Sequence, residues 1–124
     1  MLRWFEKHNK IACLITIIIA ILIFYMSSLT SKQTPGNGSS KNTVFYHIAA
    51  FFFFALFLGI SIIKGKNKKF LFLPVVISIF YGISDEFHQF FVPGRSCSFS
   101  DVLLDTTGIL LASLFYTISL KNEY

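Results

Sequence analysis

Four long apolar segments constrain the fold of this chain more than any other feature of its sequence. They occupy residues 11–29, 44–63, 70–92 and 101–120. An α-helix needs about 20 residues to cross the hydrocarbon core of a bilayer, and each segment is close to that length. The chain is 54% hydrophobic and 14% charged, so it has too few polar side chains to cover a water-soluble domain. The pattern predicts an all-α fold, a four-helix transmembrane bundle of a polytopic membrane protein, with residues 1–124 as one membrane domain.

The first apolar segment has a second interpretation, as a cleavable signal peptide, because basic residues precede it. The segment 11–29 is longer than the ~7–15 apolar residues typical of a signal peptide, and no A-x-A-like cleavage site follows it cleanly. We therefore expect a retained helix. The stretch that follows, 31–43, combines Pro and Gly with a run of polar residues, and this composition predicts a flexible linker between spans.

The distribution of basic residues predicts the orientation of the four spans. Eight of the eleven Lys and Arg residues lie on one side of the predicted bundle: Arg3, Lys7, Lys10, Lys64, Lys66, Lys68, Lys69 and Lys121. The other side has Lys32, Lys41 and Arg95. Because short cytoplasmic loops carry the excess of Lys and Arg, we expect a multi-pass protein of the cell membrane with both termini in the cytoplasm.

The net charge of +5 raises the question of a nucleic-acid partner. The cations are divided among loops that apolar spans separate, and they form no continuous basic face, so we expect no nucleic-acid binding. Membrane lipids are the expected partners, and a homo-oligomer is compatible with a bundle of this size. Cys13 and Cys97 have no CxxC spacing and predict neither a disulfide framework nor a zinc knuckle.

The residues that lipid would reject are concentrated between residues 80 and 105. Four of the six acidic residues lie there, namely Asp85, Glu86, Asp101 and Asp105. A carboxylate at the bilayer centre costs on the order of 2.5–3.5 kcal/mol, and such residues mark functional sites by default. The alternating direction of the spans places these acids, together with His47 of the second span, near the external face. We therefore predict one polar layer to which three helices contribute.

Helical periodicity predicts which faces meet. Ser78, Tyr81, Gly82, Asp85, His88 and Gln89 fall on one stripe of the third span, with Glu86 at its edge. On the fourth span, Asp101, Asp105, Gly108 and Ala112 form a second stripe, in which Gly108 and Ala112 make a small-residue seam. The short connection between the two spans predicts that they are antiparallel neighbours, so that their stripes can face each other.

These residues support several hypotheses about function. The first is an enzyme that acts on a lipid-linked or amphipathic substrate at the outer leaflet by general acid–base catalysis. We assign catalytic roles to Asp85, Glu86, His88 and Asp101, and substrate contacts to His47, Tyr81, Gln89, Arg95 and Asp105. The second is a binding module that captures a glycopeptide or a cell-wall precursor without chemistry. The third is a structural protein whose buried ion pairs only hold the helices together.

A metal site is a further alternative. His47, His88, Asp85 and Asp101 offer the nitrogen and oxygen ligands that suit zinc or manganese. Because the chain has no compact HExxH-type spacing, we expect neither a metal nor another cofactor.

The string around the acids resembles a known family. It reads Asp85-Glu86-x-His88-Gln89-x-Phe91-Val92-Pro93-Gly94-Arg95, and Asp101-Val102 and Gly108 follow. It is similar to the signature of the VanZ-like family, named after a membrane protein associated with teicoplanin resistance. The resemblance covers residues 44–120, and His47 looks like the family's upstream histidine, whereas at Asp105 the family more often has Asn. The resemblance implies a polytopic protein linked to the cell envelope or to the response to glycopeptide antibiotics, and it implies no particular reaction.

Overall fold

The chain folds into five helices and contains no strand among its described residues. The computed structural model describes residues 2–29, 40–66, 68–93 and 99–123, without the side chains of 40–43, 122 and 123. The helices are α1 (Leu2–Lys7), α2 (Asn9–Ser28), α3 (Ser40–Ile63), α4 (Phe72–Phe90) and α5 (Phe99–Glu123), and a short 3-10 turn (Lys68–Phe70) precedes α4. Most of the predicted linker, and Arg95 of the loop after α4, lie outside the described residues.

Four of these helices are long and apolar enough to cross a membrane. The candidate spans are Asn9–Ser28, Val44–Ile63, Lys68–Phe90 and Phe99–Lys121. Large apolar side chains such as Ile21, Phe80 and Leu114 are exposed on the outside of the bundle, where acyl chains would surround them in a bilayer. The prediction of an all-α, four-helix membrane bundle is confirmed.

The α2 helix is packed into the bundle. The Tyr81 hydroxyl on α4 donates a hydrogen bond to the Ala20 carbonyl on α2 at 2.5 Å. The Ser27 hydroxyl near the end of α2 donates to the Asp85 carbonyl at 3.4 Å. These bonds join the first span to the third.

The helices α3 and α5 approach each other closely at Gly108 of α5. A Cβ atom built on Gly108 would clash with the carbonyl oxygen of Ile48 and lie 3.1 Å from the Phe52 nitrogen, both on α3. At Gly108 the seam therefore packs against the second span, while Asp105 of the same stripe lies beside Gly82 of the third span. Below this contact the core is apolar and includes Phe51 and Ile60 of α3 and Ile109 of α5.

Candidate functional site

A buried pair of side chains joins α3 and α5 at one end of the bundle. His47 Nδ1 lies 2.7 Å from Asp105 Oδ1, and both residues are at least 97% buried. An imidazole that donates from Nδ1 to a carboxylate carries its lone pair on Nε2. The Asp105 carboxylate therefore fixes both the orientation and the tautomer of this imidazole.

The other ring nitrogen of His47, Nε2, lies on the side of a second carboxylate. His47 Nε2 lies 3.8 Å from Asp101 Oδ1, which is an ion-pair distance and too long for a hydrogen bond. The Asp101 side chain is 23% exposed, whereas that of His47 is 4% exposed. The imidazole is thus almost entirely enclosed by protein, and Asp101 is the more exposed of the two side chains.

The last turns of α4 contribute further polar side chains. Asp85, Glu86 and Gln89 are all buried. One carboxylate oxygen of Glu86, one of Asp105 and a ring nitrogen of His47 all lie within 4.8 Å of one another. Periodicity placed Glu86 at the edge of the polar stripe, but in the structure it belongs to the centre of the site.

The second carboxylate oxygen of Asp105 lacks a hydrogen bond among the described residues. Asp105 Oδ2 is fully buried and has no hydrogen-bond partner among the described residues, and the same is true of Ser78 Oγ. A Cβ atom added to Gly82 would lie 3.3 Å from Asp105 Oδ2, so the bare backbone of α4 packs closely against this oxygen. Burying a charged oxygen without a donor costs free energy, which a purely structural core would avoid.

Three side chains from three helices satisfy the distance requirement of a metal site. They are His47, Glu86 and Asp105, one nitrogen and two oxygen donors of the kind that zinc and manganese accept. This set differs from the one that the sequence suggested, which included His88, Asp85 and Asp101. The expectation that the protein holds no metal stays a prediction.

A comparison with known families assigns the chain to one of them. The sequence model of the VanZ/LLP1 family matches residues 12–120, which is most of the chain. The chain belongs to the VanZ/LLP1 family. Neither a curated protein nor a solved structure matches it. The match to the VanZ/LLP1 family starts in α2, so it includes the first span, which lies outside the 44–120 region of the sequence resemblance.

Two of the predicted site residues of this VanZ-like chain face α2 instead of the His47–Asp105 pair. His88 Nε2 lies 3.0 Å from Ser28 Oγ, and the His88 ring stacks on Phe24 with centroids 4.6 Å apart. Tyr81 donates its hydroxyl to α2 and stacks on Phe54 with centroids 4.9 Å apart. Arg95, the remaining predicted residue, lies outside the described part of the chain.

Sequence reasoning missed the contribution of α2 to this end of the bundle. Ser27 bonds the α4 backbone at Asp85, and Ser28 contacts His88. Both serines end an apolar run, a position at which small polar residues are usual. The two adjacent hydroxyls at the depth of the acidic residues were the signal that could have revealed the contact.

Proposed function

We propose that this VanZ-like protein is an enzyme of the cell membrane that acts on a lipid-linked substrate of the cell envelope by general acid–base catalysis at His47. The observation that carries the proposal is the buried hydrogen bond of 2.7 Å between His47 Nδ1 and Asp105 Oδ1. A carboxylate that orients an imidazole in this way leaves Nε2 as a base.

The geometry supports a separate role for each group. His47 Nε2 would accept the proton of water or of a substrate hydroxyl as that oxygen attacks, and would return it to the leaving oxygen. Asp105 would act as a positioning residue, since it contacts the ring nitrogen that does not react. Asp101, 23% exposed, would be the first of these groups to meet the substrate, and Glu86 would supply a third carboxylate next to the imidazole.

The proposal includes a location and a biological setting. The excess of Lys and Arg at the opposite end of the bundle supports cytoplasmic termini, which would place His47 near the external leaflet. A lipid-linked substrate would reach this depth from the bilayer. The family resemblance supports a link to the response to teicoplanin.

The alternative is a structural role, in which the His47–Asp105 pair only fixes the register of α3 and α5. The buried Asp105 Oδ2, which has no hydrogen-bond partner among the described residues, favours a site over such a role. A third candidate, a binding module without chemistry, would use the same residues and differ in the absence of a product.

The first experiment replaces the proposed base. A glycopeptide-susceptible bacterium would express the wild type, His47→Gln or His8→Gln, with the last as a matched control because His8 lies exposed in the short connection before α2. Loss of a general base lowers turnover by about 10²–10⁴-fold. We therefore expect His47→Gln to lose any change in teicoplanin susceptibility and any lipid product seen by mass spectrometry, and His8→Gln to retain both.

The readouts separate the candidates. A folded His47→Gln variant with unchanged product would refute the acid–base proposal. Loss of the effect together with a lowered melting temperature in detergent would support the structural role, and ligand binding by the wild type without any product would support the binding module.

A further inference from the structure

A polar cavity lies at the other end of the bundle from His47. Its volume is about 490 Å³, and it is lined by Arg3, Glu6, Lys7, Asn9, Lys64 and Lys66. One wall comes from α1 and the start of α2, and the other from the turn after α3. The cavity has no residue in common with the site around His47.

The lining of this cavity is strongly basic. It has four cationic side chains and one carboxylate, and Lys7, Lys64 and Lys66 are exposed. The carboxylate of Glu6 is buried and accepts a hydrogen bond from the Tyr116 hydroxyl at 2.9 Å. Because the one carboxylate is buried and bonded to Tyr116 while the cations are more numerous and exposed, the cations dominate the electrostatic potential that a ligand would meet.

The two walls of the cavity are tied together through α5. The Tyr116 hydroxyl donates to Glu6 Oε1 on α1 and accepts the Gly65 N–H of the turn at 3.2 Å. Gly65 has a φ of 73°, and a Cβ atom there would lie 2.6 Å from Glu6 Oε2. The turn therefore needs glycine, and Tyr116 holds the basic residues of both walls at a fixed separation.

The backbone donors of the turn are already used. The Lys64 N–H bonds the Ile60 carbonyl and the Lys66 N–H bonds the Ile63 carbonyl, each at 3.0 Å. On this wall a ligand is therefore recognised by the ammonium groups of the lysine side chains, and on the other wall Arg3 adds a guanidinium group. These groups form charge-assisted hydrogen bonds with phosphate oxygens.

We propose that this cavity binds a phosphate group, carried either by a lipid headgroup or by a soluble phosphoester. Membrane orientation alone would explain basic residues near this end. Lys69 belongs to the same basic run but lies outside the lining of the cavity. Orientation does not require a concave site whose walls are fixed by a buried tyrosine. The proposal is independent of the role of His47.

The test uses the full chain purified in a neutral detergent and two probes. Inorganic phosphate is titrated while the fluorescence of Trp4 is followed, since Trp4 is the single tryptophan of the chain, neighbours Arg3 and is 51% exposed. Phosphatidylglycerol and phosphatidylcholine with identical acyl chains are offered together, and native mass spectrometry counts the lipids that remain bound.

The variants remove charge inside and outside the cavity. Lys64→Gln with Lys66→Gln should weaken binding of the effective probe by about tenfold or more, as expected for the loss of charge-assisted hydrogen bonds. Lys69→Gln with Lys121→Gln removes the same charge from exposed positions outside the lining and should change the affinity less than about twofold, as distant surface charges do.

A third variant tests the fixed geometry. Tyr116→Phe retains every cation but breaks the bonds to Glu6 and Gly65, so we expect weaker binding while the helical content is unchanged. Unaltered affinity in Tyr116→Phe would overturn the role of Tyr116 in holding the walls.

The two probes distinguish the sources of the phosphate. Saturable binding of phosphatidylglycerol without a response to inorganic phosphate supports a lipid headgroup, and a saturable Trp4 response without lipid preference supports a soluble phosphoester. No saturable binding of either probe would overturn the proposal. Equal weakening by the cavity pair and the control pair would overturn it as well, since general surface charge would then explain the binding.

Discussion

At the scale of single residues, the depth of the polar groups was predictable and their partners were not. The 1.5 Å rise per residue of a helix is enough to bring His47 and Asp105 to one level. Which side chain faces which depends on the rotation of each helix. On α3, apolar residues lie on every side below His47, so periodicity could not show that this imidazole would bond Asp105 and have Glu86 as a close neighbour.

The role of Asp105 leads to a prediction at this scale. Asp105→Asn retains an oxygen that can accept from His47 Nδ1, and its amide group can donate to the Glu86 carboxylate within the same cluster. We expect this variant to keep most of the function of the wild type and to be at least as stable, since a buried charge is removed. The measurements are teicoplanin susceptibility and the melting temperature in detergent.

Asp105→Leu is the matching variant with a similar shape and no acceptor. It leaves His47 Nδ1 buried without its present partner, which costs about 1–3 kcal/mol, and it frees the imidazole to rotate. We expect loss of function together with a lower melting temperature. Equal inactivity of the Asn and Leu variants would contradict a positioning role, because His47 would then need the charge of Asp105 and not its oxygen.

At the scale of the helices, the four apolar runs and the turns between them predicted each span to within a few residues. The third span, for example, was expected at 70–92 and is the helix Phe72–Phe90. Pro93 stops a helix through its effect on the preceding residue, and a local rule of this kind acts without tertiary contacts. The direction of the Gly108 seam toward α3 was not predictable, because a helix with small residues on one side accepts any neighbour that fits.

The close contact of α3 and α5 can be tested with two glycine variants. Gly108→Ala places a methyl group against the Ile48 backbone, and the two helices must separate to accommodate it. Forced overpacking of this kind typically costs about 1–3 kcal/mol. We expect a lower melting temperature in detergent.

Gly59→Ala is the control for this prediction. It lies in the interior of α3, and its Cβ atom would have ordinary contacts, the nearest being 3.6 Å from Tyr116 Cδ1. Since alanine favours a helix over glycine by about 1 kcal/mol, we expect the melting temperature to stay the same or rise. If Gly108→Ala were equally harmless, α3 and α5 would have to lie farther apart at Gly108 than the structure shows.

At the scale of the whole molecule, the charges separate the bundle into two different ends. The His47 end has most of the acidic residues, and the Tyr116 end has most of the basic ones. The sequence showed this separation through its loops. It did not show that Tyr116 bonds Glu6, because the two residues are 110 positions apart and neither belongs to a recognisable motif.

The orientation of the bundle is the prediction that belongs to this scale. In a chain without its native cysteines, Lys69→Cys and Lys41→Cys would each supply one thiol for a maleimide that does not cross membranes. Because short cytoplasmic loops carry the excess of basic residues, we expect intact cells to label at position 41 and lysed cells to label at both. Labelling of position 69 in intact cells would reverse the topology.

The bond between His47 and Asp105 has a consequence for biosynthesis. The two residues are 58 positions apart, so α3 leaves the ribosome before α5 exists. During that interval the Nδ1–H of His47 lacks its Asp105 acceptor, and the face of α3 beside Ile48 is not yet covered by Gly108 of α5. We therefore expect a chain truncated before residue 99 to leave this face of α3 without its α5 neighbour and to be degraded faster than the full chain.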